Sequence, residues 1–221
     1  MAQTPRPSPA GAVEPVPAVA RLAASQLRRV RAIVDAAVAL AEQGGFEGVR
    51  LRDVAEASGV ALGTLYKYFR SKEDVLLFAL QEEMEKLEAA LAARPARGDD
   101  AVERVTDLFA RATRGLTRRP NLARAALRAV AAGEPELAAK VAGFHLRTVR
   151  LVVASLRAEP APRGGGAGEL GDERENAIAS ILDHVWFALL VGWAGGLHGT
   201  REVNERMRAA ARLLVGEPAG G

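Results

Sequence analysis

The sequence predicts an all-α protein in two parts, an N-terminal three-helix bundle carrying a helix-turn-helix and a larger C-terminal helical domain. Three observations carry that expectation. Hydrophobic residues make up 49% of the 221, enough to bury a sizeable core. Aromatics are only 5%, and no stretch alternates Val, Ile and Thr with polar residues as a half-buried strand does. Apolar residues instead recur at i, i+3 and i+4 in one segment after another, with Gly and Pro between the segments.

Residues 1–20 hold five prolines and no helical stripe, so they read as a disordered tail. No basic stretch precedes an apolar run there, and a signal peptide is not expected. The bundle is expected over residues 21–72. Its first helix runs from about Ala24 to Gln43, with Val30, Val34, Ala37 and Ala41 on one face, and Gly44-Gly45 ends it. In the next helix Leu51, Val54 and Ala55 form the apolar stripe. Gly59 then supplies the tight corner of a helix-turn-helix, because glycine takes positive φ without steric cost. Val60 and Leu65 dock back on the stripe. A second helix, Leu62–Phe69, is left presenting Thr64, Tyr66, Lys67 and Tyr68 outward. A hydroxyl, two phenols and an ammonium on two turns are groups that hydrogen-bond phosphates and base edges. Ser71 with Asp74 three residues on is a capping-box variant opening a helix to about Ala93, whose first residue Lys72 would lie near the same phosphates.

This stretch resembles the DNA-binding domain of the TetR family of bacterial repressors. The likeness lies in Ala55, Gly59-Val60, Gly63-Thr64-Leu65-Tyr66-Lys67-Tyr68-Phe69 and Lys72-Glu73. It implies DNA contacts from Arg50, Arg52, Leu62, Gly63, Thr64, Tyr66, Lys67, Tyr68 and Lys72. The chain departs from the family in having Arg50 and Ala61 where Ser or Thr commonly caps the two helices. Each change gives up a cap worth ~1 kcal/mol, and Arg50 offers a phosphate contact in exchange. Charge agrees with a nucleic-acid partner. Between Arg21 and Lys72 nine basic residues face five acidic ones, an excess of four where the whole chain has a net charge of +3.

Residues 73–217 are expected to form an effector-binding and dimerisation domain. The helix at 72–93 carries Leu76, Leu80, Met84, Leu87 and Leu91 near heptad spacing and suits a lever between the domains. Further helices are expected from residue 99 to about Leu116, at 121–131 and at 135–158, followed by a flexible loop at 159–171. The run Ala177–Leu197 is apolar on nearly every side, but Asp183-His184 and three late glycines argue against a membrane span. A helix apolar all round in a soluble protein needs a second apolar neighbour, and a second copy of the chain is the natural one. The expected homodimer contacts are Ile181, Val185, Leu189 and Trp193, with Met207 and Leu214 from the final helix.

The C-terminal part is larger than a dimer clip requires. Phe109, Leu116, Leu127, Phe144 and Trp186 are expected to line a cavity for a small, mostly apolar effector, with Thr113, Asn121 and Arg147 as its polar contacts. Within the family, VALGTLYKYFRSK and the later IxDHVWFALLxGW followed by ARLLVG resemble the KstR-type repressors of steroid catabolism. That resemblance implies an acyl-CoA or steroid-type effector. The three histidines lack metal-ligand spacing, no nucleophile elbow or phosphate loop occurs, and no cofactor, metal or enzymatic activity is expected. The absence of cysteine excludes a disulfide framework and fits the reducing cytoplasm. The expectation is a homodimeric, effector-released repressor on a palindromic DNA operator. A structural nucleoid or division-associated DNA-binding protein with no small effector is the alternative.

Overall fold

The computed structural model describes residues 24–162 and 171–216; the tail expected at 1–20 and most of the loop expected at 159–171 lie outside them. Among the described residues there are nine α-helices and no strand. Helix α1 spans Ala24–Gly48, but Gly45, at φ 60° and ψ −154°, breaks it. The chain thus turns where the glycine pair predicts, and one further helical turn leads to α2, Leu51–Ser58. Gly59 closes α2 in the left-handed region at φ 67°, its N–H on the carbonyls of Ala55 and Glu56.

Helix α3 is shorter than expected. It is α-helical only over Leu62–Leu65, and the expected helix to Phe69 continues as tighter turns. The Lys67 and Tyr68 amides reach back three residues, to Thr64 and Leu65, rather than four. Leu65 and Phe69, both buried, pin each end of this segment, and Phe69 meets Phe78 edge-on with ring centroids 5.6 Å apart. Neither α2 nor α3 has a side-chain N-cap, as Arg50 and Ala61 dictate.

Helix α4, Lys72–Ala93, begins with Ser71 accepting from the Asp74 amide. The Asp74 carboxylate accepts from the Arg70 amide rather than the Ser71 amide a capping box would use, and its other oxygen takes Lys140. Val75 to Leu80 lie in the N-terminal core, whereas Met84 and Leu91 lie in the C-terminal one, so α4 joins the two.

Helices α5 (Ala101–Thr117), α7 (Ala138–Leu156), α8 (Glu173–Ala194) and α9 (Thr200–Val215) close a ring, α5 on α7, α7 on α8, α8 on α9 and α9 on α5. The segment expected as one helix at 135–158 is a 3₁₀ turn at Pro135–Leu137 followed by α7. By length and composition α8 could cross a bilayer, yet in the structure it packs on α7, on α9 and on the helix at Pro120–Ala131, with Asp183 buried mid-helix.

Helix α6, Pro120–Ala131, sits between the domains. Leu122, Ala125, Ala126, Ala129 and Val130 join the N-terminal core, while Ala123 and Leu127 join the C-terminal one. The small side chains let α6 lie close along α1, to which it is pinned at its start. The Leu122 amide donates to the Glu42 carboxylate (3.0 Å), and the Asn121 side-chain amide donates to the Glu42 carbonyl (2.7 Å). Glu42 of α1 therefore caps a helix of the other domain.

Candidate DNA-binding face and ligand cavity

The expected DNA-facing residues lie at the start of α2, in and just after α3, and at the start of α4. Tyr66 is 53% exposed, and Gly63, Lys67, Arg50 and Arg52 are also exposed. Thr64 is half-buried; Leu62 and Tyr68 lean on the N-terminal core, so their rings and methyls serve packing as well as surface. Gly63 has open space where a Cβ would stand, which leaves room for a close approach by another backbone. Arg70, exposed and 3.9 Å from Glu136, is a further cation in the segment that follows α3. Lys72 is held inward. Its ammonium donates to the Phe46 carbonyl (3.3 Å), lies 3.9 Å from the Phe46 ring centroid and stands 3.7 Å from Glu47.

The C-terminal domain holds a cavity of about 760 Å³ between α4, α5, α6, α7 and α8. Leu80, Met84, Leu87, Leu116, Phe144 and Trp186 form its apolar wall. Three of the eight expected effector residues, Leu116, Phe144 and Trp186, are in that wall. The other five are elsewhere, and each for a physical reason. Phe109 is fully buried behind Trp186, ring centroids 5.5 Å apart, and Leu127 is core. Thr113 is buried with its hydroxyl accepting from the Trp186 indole N–H at 3.0 Å, so it orients the wall from behind. Asn121 ties α6 to α1. Arg147 faces two α4 carboxylates, Glu85 at 3.6 Å and Glu88 at 3.7 Å. Burial pushes the Glu88 carboxyl above its ordinary value and Arg147 pulls it back, so this arginine neutralises an internal charge.

Sequence reasoning missed the mouth of the cavity. Seven basic and two acidic side chains line it. The two acids are already matched, Asp107 to Arg111 at 2.7 Å and Glu83 to Lys86 at 2.6 Å. Arg94, Arg97, Arg114, Arg118 and Arg119 make no ion pair among the described residues. The signal was present in the sequence: Arg111, Arg114, Arg118 and Arg119 fall at i, i+3, i+7 and i+8, one face of α5 and its end. Its destination, a cavity rim, needed the packing of α4 against α5.

The expected dimer residues divide in a similar way. Leu189 and Trp193 of α8 and Met207 of α9 are buried in the chain's own core, where α8 packs on α6, α7 and α9 and α9 packs on α5; they offer little surface. Val185 and Leu214 are half-buried, and Ile181 is exposed. The outward stripe of α8 is Ile181, Val185, Ala188 and Val191, while Leu197 (79%) and Leu213 (85%) are the most exposed large apolar side chains among the described residues. Beside that stripe His145 of α7 bonds the buried Asp183 through Nδ1 at 2.6 Å. That bond raises the His145 pKa above its ordinary value, against an opposing effect of burial. Among the described residues, no group of three or more His, Asp or Glu could hold a metal.

Residues 33–79 match the model of the bacterial regulatory proteins of the tetR family, and residues 98–214 that of the tetracyclin repressor-like C-terminal domain. Over 194 residues the chain is 32% identical to the HTH-type transcriptional repressor KstR of Rhodococcus jostii (strain RHA1), covering 87% of this chain and 85% of that protein. A TetR transcriptional regulator from Rhodococcus sp. RHA1 superposes with a TM-score of 0.74 at 22% identity, over 86% of this chain and 97% of its own. Thermus thermophilus FadR, a TetR-family repressor solved in complex with lauroyl-CoA, gives a TM-score of 0.62 at 24% identity, over 87% and 99%. The last two likenesses are of fold.

Proposed function

The chain belongs to the TetR family of bacterial regulatory proteins, and we propose that it is a cytoplasmic, homodimeric repressor released from a palindromic operator by an acyl-CoA thioester. The observation that carries the effector class is the cavity, apolar within and rimmed by five guanidiniums that have no carboxylate partner among the described residues. An uncharged steroid would leave the rim unanswered, and the single carboxylate of a fatty acid would answer only part of it. The phosphates of coenzyme A suit guanidinium forks, and the acyl group suits the Trp186–Phe144 wall. FadR of Thermus thermophilus, with lauroyl-CoA bound, is a fold neighbour that supports the reading.

The subunits would pair across the outward stripe of α8, Ile181, Val185, Ala188 and Val191, which a second copy would remove from water. Two α3 segments would then enter successive major grooves ~34–36 Å apart. There Tyr66, Lys67, Thr64 and Tyr68 would meet bases and phosphates, with Arg50, Arg52 and Lys72 on the backbone and Leu62 and Gly63 at the groove edge. An effector that favours another spacing must weaken DNA binding by the same coupling with which DNA weakens the effector, ~1–3 kcal/mol. The deciding experiment titrates lauroyl-CoA, coenzyme A, lauric acid and a steroid acid against operator-bound protein, with the operator selected from random duplexes. Release by the thioester alone, lost in an Arg114→Glu/Arg118→Glu protein, is the expected result. Operator binding insensitive to all four would favour the structural DNA-binding alternative.

A further inference from the structure

Four charged or aromatic groups meet where the two domains touch. Glu47, just past the break in α1, offers one carboxylate oxygen to Arg128 of α6 (2.8 Å) and the other to Lys72 of α4 (3.7 Å). The preceding residue, Phe46, carries both cations against one ring, Lys72 at 3.9 Å and Arg128 at 4.4 Å from its centroid. Lys72, drawn inward by the Phe46 carbonyl and ring, is the cation of this group that the DNA-binding reading sets against phosphate. Arg128 belongs to the helix whose other residues, Leu122, Ala123 and Ala126, form part of the cavity wall.

We propose that Arg128 and Glu47 are positioning residues for operator binding: by sharing Glu47, Arg128 leaves the Lys72 ammonium available to phosphate. The proposal rests on the DNA-binding reading above. Its sign follows from charge. With Arg128 in place, the carboxylate is largely neutralised at 2.8 Å and holds Lys72 only loosely at 3.7 Å. If α6 shifts and withdraws Arg128, Glu47 keeps its full charge beside Lys72. It then both retains the ammonium and repels the incoming phosphate. A small displacement of α6 thus becomes a change in the charge presented to DNA, with no need for α3 to move.

The test is an epistasis measurement on the full chain with the selected operator. Arg128 and Glu47 are mostly exposed, at 60% and 70% of their side chains, so substitution should leave the melting temperature near the parent's. Arg128→Ala should weaken binding about 3- to 5-fold per half-site, or about 10- to 25-fold for the dimer. It should also lower the slope of log K against log salt by about 0.9 for each phosphate that Lys72 no longer neutralises. Glu47→Gln should bind more tightly than the parent, and Glu47→Gln combined with Arg128→Ala should recover both affinity and slope. Arg128→Lys should fall between parent and alanine. An Arg128→Ala loss that persists undiminished in the Glu47→Gln background would mean that Arg128 itself touches phosphate, and the proposal would fall. Arg128→Ala without effect, or a loss that tracks a fallen melting temperature, would overturn it as well. In each of these cases the protein still binds operator, and the repressor reading stands. If the parent enriched no duplex at all, both would fall together.

Discussion

Replacing Thr113 by Val changes almost no volume and removes one hydroxyl, the acceptor of the Trp186 indole N–H at 3.0 Å. Both residues are buried, Thr113 at 1% and Trp186 at 3% exposure, so water has little access to the orphaned donor. An unmet buried donor costs ~1–3 kcal/mol, and in a chain of this size each kcal/mol lowers the melting temperature by about 2–4 °C. A fall of roughly 4–8 °C is expected for a cost of ~2 kcal/mol. Thermal scans at one fixed protein concentration suit the measurement, because any self-association would make the melting temperature depend on concentration. The control is Trp186→Phe, which keeps a ring against Phe109 and deletes the N–H. In that background Thr113→Val should cost less than half as much. Since Trp186 is in the cavity wall, Thr113→Val should also change indole fluorescence and weaken lauroyl-CoA binding. Equal costs of Thr113→Val with and without the indole would refute the argument that this hydrogen bond sets the wall.

Other expectations concern the DNA face, the seam between subunits and pH. Lys67→Ala should lower operator affinity several-fold at an unchanged melting temperature, because the side chain is exposed and makes no ion pair among the described residues; wild-type affinity and salt slope would remove it from the interface. Ile181→Arg with Val191→Arg should give folded monomers by sedimentation, as like charges would face each other across the stripe, whereas Leu189→Arg should unfold the subunit by burying a lone charge. Dimers persisting in the double variant would move the seam elsewhere. The raised pKa of His145 means that the protonated ring favours the folded state. The stability it adds is therefore fully present below the unfolded histidine value of ~6.5 and disappears as pH rises through the folded value. The melting-temperature gap between the parent and His145→Gln should accordingly shrink as pH rises above ~6.5; a gap growing with pH would reverse the assignment.

Local chemistry made much of this protein legible from its residues. Gly45 and Gly59 can take positive φ without steric cost, so the break in α1 and the corner after α2 could be read in advance. The same holds for Ser71, whose hydroxyl caps α4, and for the apolar stripes of α1, α2 and α4, since periodicity states which side a helix buries. Periodicity does not say what that side is buried against. Leu189 and Trp193 have the apolarity of a subunit contact, but a helix apolar all round carries two such faces, and only the positions of α6, α7 and α9 decide which one stays inside. Asn121 and Arg147 have the polarity of ligand contacts, yet their partners, Glu42 and Glu88, come from helices many residues away. The arginines of α5 were visible as a helical face and mute as to purpose until α4 closed a cavity beside them. The neighbours of Lys72 in sequence point it outward, and Phe46 and Glu47 hold it inward. A residue's own type and spacing determine its local conformation and its share of a face, because those interactions reach only a few residues along the chain. The partner across that face is chosen by how whole helices fill space, and here that choice placed α6 between the cavity and the helix-turn-helix.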